Sequence, residues 1–244
     1  MLVGTVLWQG RERRVTVAGD GSVRTLSGEA VPEGEAVVLP PVRPGKIVCV
    51  GRNYREHAAE LGNPMPERPL LFLKAPSALL SHSGTIQLPE DSRQVEYEGE
   101  IAVVVGRECR RLAPGDDPYA YVAGVTPLND VTARDLQKLD VQFTRAKSFD
   151  TFCPLGPWME TEPDFAGLSV RTTLNGKTVQ EGRHADMAFP IPDLLRFISR
   201  AMTLYPGDVI ATGTPAGVGR LGDGDVVAVE TAGIRLENVV RSMP

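Results

Sequence analysis

The stretch VEYEGEIAVVVG, Val95–Gly106, sets three glutamates at alternate positions ahead of an uninterrupted apolar run. Side chains alternate across a strand, so Glu96, Glu98 and Glu100 share one face while Ile101, Val103 and Val105 share the other. An acidic face can simply be solvated. It can also be a metal site, because carboxylates held this close repel one another unless a cation or protons come between them.

Around this stretch the chain is rich in strand signals. Strands are expected at KIVCVG, PLLFLK, TIQLP, EIAVVVG, YVAGVTPLN, LSVRTTLNG, DVIATG and DVVAVE, with helices at RNYREHAAELG, TARDLQK and IPDLLRFISRAM. In the first helix Asn53 can cap, Glu56 completes a capping box and Gly62 can close the C-terminus in a left-handed conformation. Strands outnumber helices without alternating regularly with them, which points to a β-rich α+β fold rather than a doubly wound or barrel α/β fold. From Met1 to Leu39, short β-like runs broken by turn clusters predict a small antiparallel β unit. The proline-rich PPVRPGK, Pro40–Lys46, reads as a connector. The domain boundary is placed at residue 44, giving units 1–44 and 45–244.

The 244 residues are 42% hydrophobic and 23% charged, enough to bury a full core. A net charge of -5 with scattered basic residues gives no stripe for nucleic acid and no polybasic patch for membranes, leaving small molecules as the expected partners. The first residues, MLVGTVLWQGRERR, place their charges after a short apolar stretch, unlike a signal peptide, and no apolar run reaches the roughly 18 residues of a membrane span. Cys49, Cys109 and Cys153 are odd in number and widely spaced, so neither a disulfide framework nor a zinc site is expected. A reduced, cytoplasmic protein follows.

Two letter patterns mislead. GVGRLG, Gly217–Gly222, matches a dinucleotide fingerprint, but a turn and another strand follow it where the fingerprint needs a helix. GKT, Gly176–Thr178, lacks the earlier glycine of a phosphate loop, since Arg171 stands there, and NGK reads as a hairpin turn between VRTTL and TVQ.

Other residues can complete an oxygen-only site. Asp130 stands where a strand run ends and a helix begins, as a helix cap or as a third carboxylate beside two from the acidic strand; three would suit Mg²⁺ or Mn²⁺, with Ca²⁺ as an alternative. His57 and Glu60 are three apart on one helix face, as an exposed ion pair or as a general base with the partner that orients it. Lysine is scarce, 5 against 21 arginines. Lys147, between aromatics and small residues in RAKSFDTFCPLGPW, could hold a substrate carboxylate or stabilise an oxyanion. Thr214, in the glycine-rich ATGTPAGVG loop, offers a second carboxylate clamp. His82 receives no role.

Through VGRNYREHAAE, PLLFLK, VEYEGEIAVVVG, NDVTARDLQ, RAKSFDTFCPLGPW, QEGRHADMAF and GDVIATGTPAGVG, from about Lys46 to Val239, the sequence resembles the fumarylacetoacetate hydrolase family. The resemblance implies a mixed β-sheet rolled partly into a barrel, a dimer, and a divalent ion bound by Glu98, Glu100 and Asp130, with Glu96 not a ligand. It implies a mobile helix bearing His57 and Glu60, and a substrate pocket with Lys147, Arg134, Gln137 and Thr214. Two departures stand out. The amino-terminal part is far shorter than the extra domain of the name-giving hydrolase, and His184 stands where many relatives carry threonine, which bears on pocket polarity and substrate choice.

The implied chemistry passes through the enolate of a 2-oxo acid, polarised at C2 by the metal. The expected activity is that of a 2-hydroxyhepta-2,4-diene-1,7-dioate isomerase, or the coupled decarboxylase, in aromatic catabolism. The alternatives are an acylpyruvate or fumarylpyruvate C–C hydrolase and an oxaloacetate decarboxylase or tautomerase. More remote is a noncatalytic binder of oxo acids, against which the retention of both His57 and Glu60 argues.

Overall fold

In the computed structural model, which describes residues 1–243, the apolar run becomes the strand Gly99–Val105, every residue of it buried. Ile101, Val103 and Val105 enter one core with Val48, Val50 and Val125, whereas Ala102 and Val104 enter a second with Ile47, Cys49 and Val209. Burial on both faces accounts for the missing polar alternation.

This strand lies inside an eleven-stranded sheet. It pairs antiparallel with Val122–Asn129 on one side and with Val209–Ala211 on the other. Val209–Ala211 runs parallel to Ile47–Gly51, which pairs antiparallel with the edge strand Leu70–Lys74. A second sheet of five strands runs Lys177–Arg183, Ser169–Leu174, Val226–Thr231, Ile234–Ser242 and Thr85–Leu88, the last pairing parallel. The fold is the expected β-rich α+β class with mixed sheets. The large sheet stays open, ending at Leu70–Lys74 and Ala30–Val31, so its roll is not a closed barrel.

The amino-terminal strands Leu2–Trp8, Arg11–Val17, Val23–Thr25 and Ala30–Val31 form an antiparallel meander with a core of its own, Val6, Trp8, Val15 and Val31. Leu2 and Val3 also pair with Glu160 and Met159, which joins the meander to the large sheet.

Four α-helices complete the fold: α1 Arg55–Glu60, α2 Arg134–Asp140, α3 Thr144–Lys147 and α4 Ile191–Ala201. In α4, Ile191, Leu194, Leu195 and Ile198 are buried, a spacing that keeps one helical face against the first core. Among the described residues no helix is long and apolar enough to cross a membrane.

Asn175 and Gly176 both adopt positive φ, 51° and 79°, which gives the expected tight hairpin. Gly219–Arg220 is a short strand followed by a turn and the strand Val226–Thr231, with no helix to receive a pyrophosphate. At α1 the structure corrects the capping expectation: the N-cap is Tyr54, not Asn53, and it makes no side-chain cap. Asn53 is buried and binds elsewhere. Its Nδ2 donates to the Thr212 carbonyl at 2.7 Å and the Phe189 carbonyl at 3.0 Å, and its Oδ1 accepts the Phe189 N–H at 2.8 Å. Buried backbone groups of two other segments need these partners, whereas the start of α1 can be solvated. Gly62, at φ 65°, closes the helix as expected.

Candidate active site

The acidic stretch is not one continuous strand. Val95–Tyr97 pairs with Thr132–Ala133 and Gly219–Arg220 in a small sheet, the chain passes through Glu98, and Gly99 begins the strand of the large sheet. The crossing is fastened at both sides. Glu98 N–H donates to Asn129 Oδ1 at 3.0 Å, and Asp130 N–H donates to the Glu98 carbonyl at 2.8 Å. These bonds place Asp130 beside Glu98, 32 residues away in sequence. Gly99 has no room for a side chain, since a Cβ there would lie 1.9 Å from Thr172 Oγ1.

Glu98, Glu100 and Asp130 are all buried, and each offers an oxygen within 4.8 Å of the others. Their counter-charges are unequal. Glu98 accepts from Lys147 Nζ at 2.7 Å and from Arg134 Nη2. Asp130 accepts from Lys74 Nζ at 2.6 Å and Lys147 Nζ at 2.7 Å. Glu100 accepts only the backbone N–H of Gly213, at 2.7 Å on Oε2; its Oε1 receives no hydrogen bond among the described residues.

The titration behaviour follows. Burial alone would raise Glu98, but Lys147 and then Arg134 outweigh it and hold the carboxyl well below the usual range. Burial, then Asp130 and Glu98, push Glu100 well above that range. Burial opposes the charge on Lys147, yet Asp130 and Glu98 keep its ammonium protonated. A buried, all-oxygen donor set with one unpartnered carboxylate oxygen fits a hard divalent cation and suits neither zinc nor copper.

A cavity of 450 Å³ opens onto this cluster. His57, Glu60, Arg134, Gln137, Lys147 and Thr214 all line it, together with the three carboxylates. His57 Nδ1 lies 3.2 Å from Glu60 Oε2, and Glu60 Oε1 accepts the Gly217 N–H at 3.0 Å, so the glycine-rich loop fixes the residue that orients the imidazole. His57 is buried rather than exposed, unlike a surface ion pair. Arg134 is committed within the site: Nε donates to Glu96 at 2.7 Å, Nη1 to Gln137 at 2.7 Å, and Nη2 to Glu98. The Thr214 hydroxyl is committed too, donating to the Gly99 carbonyl at 2.9 Å and accepting from Gln180 Nε2 at 2.8 Å. It pins the loop to the acidic strand.

Glu96 stands outside the cluster, paired with Arg134 and Gln94. His184 is not among the residues that line the cavity. Its Nε2 accepts the Ile191 N–H at 3.3 Å at the start of α4, which needs a neutral ring, and burial holds its pKa below the usual value. Sequence reading missed Lys74, whose ammonium is fully buried on Asp130. The available signal was a lone lysine ending the apolar run PLLFL in a chain with so few lysines. Gln180 and Gly213 were missed as well; only the packing of three segments reveals them.

The sequence profile of the fumarylacetoacetate (FAA) hydrolase C-terminal domain matches residues 46–241. An uncharacterised protein of Archaeoglobus fulgidus is 48% identical over 229 residues, covering 94% of this chain and 91% of that protein. Oxaloacetate tautomerase YisK of Bacillus subtilis is 45% identical over 190 residues, 74% of this chain and 62% of that enzyme. The crystal structure of 5-carboxymethyl-2-hydroxymuconate delta-isomerase from Mycobacterium smegmatis superposes with a TM-score of 0.92 at 39% identity, covering both chains completely. The chain therefore belongs to the fumarylacetoacetate hydrolase family and is an enzyme of that family.

Proposed function

We propose that the protein is a divalent-metal-dependent isomerase that moves a proton along the enol or dienol of a dicarboxylic 2-oxo acid, acting on 2-hydroxyhepta-2,4-diene-1,7-dioate. The observation that carries the proposal is a single cavity holding both the three-carboxylate cluster and the His57–Glu60 pair. Held by Glu98, Glu100 and Asp130, Mg²⁺ or Mn²⁺ would supply Lewis-acid polarisation at the C2 oxygen. His57 exchanges the proton with the substrate carbon chain. With Nδ1–H donated to Glu60, Nε2 is the atom that takes and returns it. Lys147 and Arg134 keep Glu98 ionised, and Gln137 holds Arg134 in place. Leu61, Leu70, Phe72 and Phe143 give the cavity apolar walls, which favours proton exchange with His57 over addition of water.

The similarity to the Mycobacterium smegmatis isomerase over the full length of both chains supports this reading. A second reading, tautomerisation of oxaloacetate, draws on the 45% identity to the Bacillus subtilis enzyme. Family membership from Lys46 onward supports treating residues 1–44 as an appended unit, and the same kinship supports a homodimer. Three buried free cysteines suit a reducing, cytoplasmic setting. The test is to incubate Mg²⁺-loaded protein with the dienedioate, enol-oxaloacetate, acetylpyruvate and fumarylpyruvate and to follow products by NMR. The dienedioate should be isomerised with the highest kcat/KM. Faster consumption of enol-oxaloacetate selects the second reading, and faster pyruvate release from an acylpyruvate overturns both.

A further inference from the structure

Five cationic residues line or flank the cavity, and they divide into two groups. Lys74, Lys147 and Arg134 are buried, and each donates to Glu96, Glu98 or Asp130. Arg52 and Lys138 line the same cavity with no ion pair and no side-chain hydrogen bond among the described residues. Glu60 is the one lining acid outside the three-carboxylate cluster, and its oxygens face His57 and the Gly217 N–H.

Arg52 is also unusual in its backbone. It is partly buried and sits at φ 57°, in the left-handed region where a residue bearing a Cβ is disfavoured and glycine is not. The next residue, Asn53, clamps this turn to the Thr212 and Phe189 backbones, and the Asn53 carbonyl accepts the Ala188 N–H at 2.8 Å. A rigid turn thus holds an arginine at the cavity in a conformation that glycine would adopt more easily. Such local strain is kept where the surroundings enforce it, and it gathers at ligand-binding positions.

We propose that Arg52 binds the carboxylate at the far end of a dicarboxylic substrate, with Lys138 as a second, more exposed cation. The inference rests on the proposed function, in which the near end of the substrate chelates the ion. At that end Glu96, Glu98, Glu100 and Asp130 face three cations and would hold a divalent ion, so that one substrate carboxylate would complete the charge balance. A second carboxylate finds no free cation there. The guanidinium offers a planar fork matched to a carboxylate, which makes Arg52 the stronger of the two remaining receptors.

The test separates the two ends of the ligand by binding rather than turnover. Mg²⁺-loaded protein is titrated calorimetrically with oxalate, which has only a chelating end, and with lactate and malate, which differ by the far carboxylate. In the wild type, malate should bind about tenfold or more tightly than lactate. Equal affinities overturn the inference whatever the variants do. In Arg52→Gln the malate preference should fall about tenfold while oxalate affinity stays unchanged, and Arg52→Lys, which keeps the charge and loses the fork, should lie between. An undiminished preference in Arg52→Gln, or one abolished by Lys138→Gln alone, overturns the assignment to Arg52. Absence of Mg²⁺-dependent oxalate binding in the wild type would sink the proposed function itself, and this inference with it.

Discussion

Glu100→Gln in protein stripped of metal tests the electrostatics of the site through an unusual sign. Glu98 and Asp130 each accept from two cationic side chains, whereas Glu100 accepts one backbone N–H. Burial and the two neighbouring carboxylates push Glu100 well above the usual range, so without metal it retains a proton that the unfolded chain releases above about pH 4.3. The folded state then binds one proton more than the unfolded state. Stability from this group is fully present below the unfolded pKa and is lost at about 1.4 kcal/mol per pH unit as pH rises toward the folded value. At pH 7 that loss is at most about 4 kcal/mol, and glutamine, which has the shape of the protonated acid and still accepts the Gly213 N–H, avoids it. Metal-free Glu100→Gln should therefore melt above metal-free wild type at pH 7. With about 2–4 °C per kcal/mol for a chain of this size, the gain is up to roughly 8–16 °C, and it should vanish near pH 4. Saturating Mg²⁺ should raise the Tm of the wild type and leave the variant unmoved, because one of three ligands has lost its charge. Thermal melts by circular dichroism in chelator and in Mg²⁺, across acid to neutral pH, read all of this. A variant that melts lower at pH 7, or a gap that ignores pH, refutes the reasoning.

His57→Ala should lower kcat by roughly 100-fold or more in the substrate assay while keeping the Mg²⁺-dependent rise in Tm, since the imidazole is not among the three ligands. Lys74→Met removes one of two cations from buried Asp130 and should lower the urea-unfolding free energy of metal-free protein by about 3 kcal/mol or more; an unchanged midpoint would mean that Lys147 alone suffices. Gly213→Ala would place a Cβ 2.7 Å from Asn53 Cβ at φ 98°, and a destabilisation of about 1–3 kcal/mol should appear as a lower urea midpoint.

Local chemistry in the sequence determined the strands and turns. The β-branched runs became buried strands, Asn175–Gly176 made the hairpin, and the spacing of Ile191, Leu194, Leu195 and Ile198 made a one-sided helix. Period two raised the expectation that Glu96, Glu98 and Glu100 share one face. It could not settle what meets them, because that depends on segments far away in the chain. The strand breaks at Glu98, so Glu96 lies in a small sheet against Arg134 while Glu100 lies in the large sheet under Gly213. The ammonium on Asp130 arrives from Lys74 at a sheet edge, and Asn53, which looked like a helix cap, joins two loops more than 130 residues downstream. Periodicity assigns a residue to a face, whereas its partner across that face is chosen by long-range packing. For that reason the acidic residues were legible one by one, while their unequal counter-charges, and the arginine left without a partner beside them, were decided by the tertiary structure.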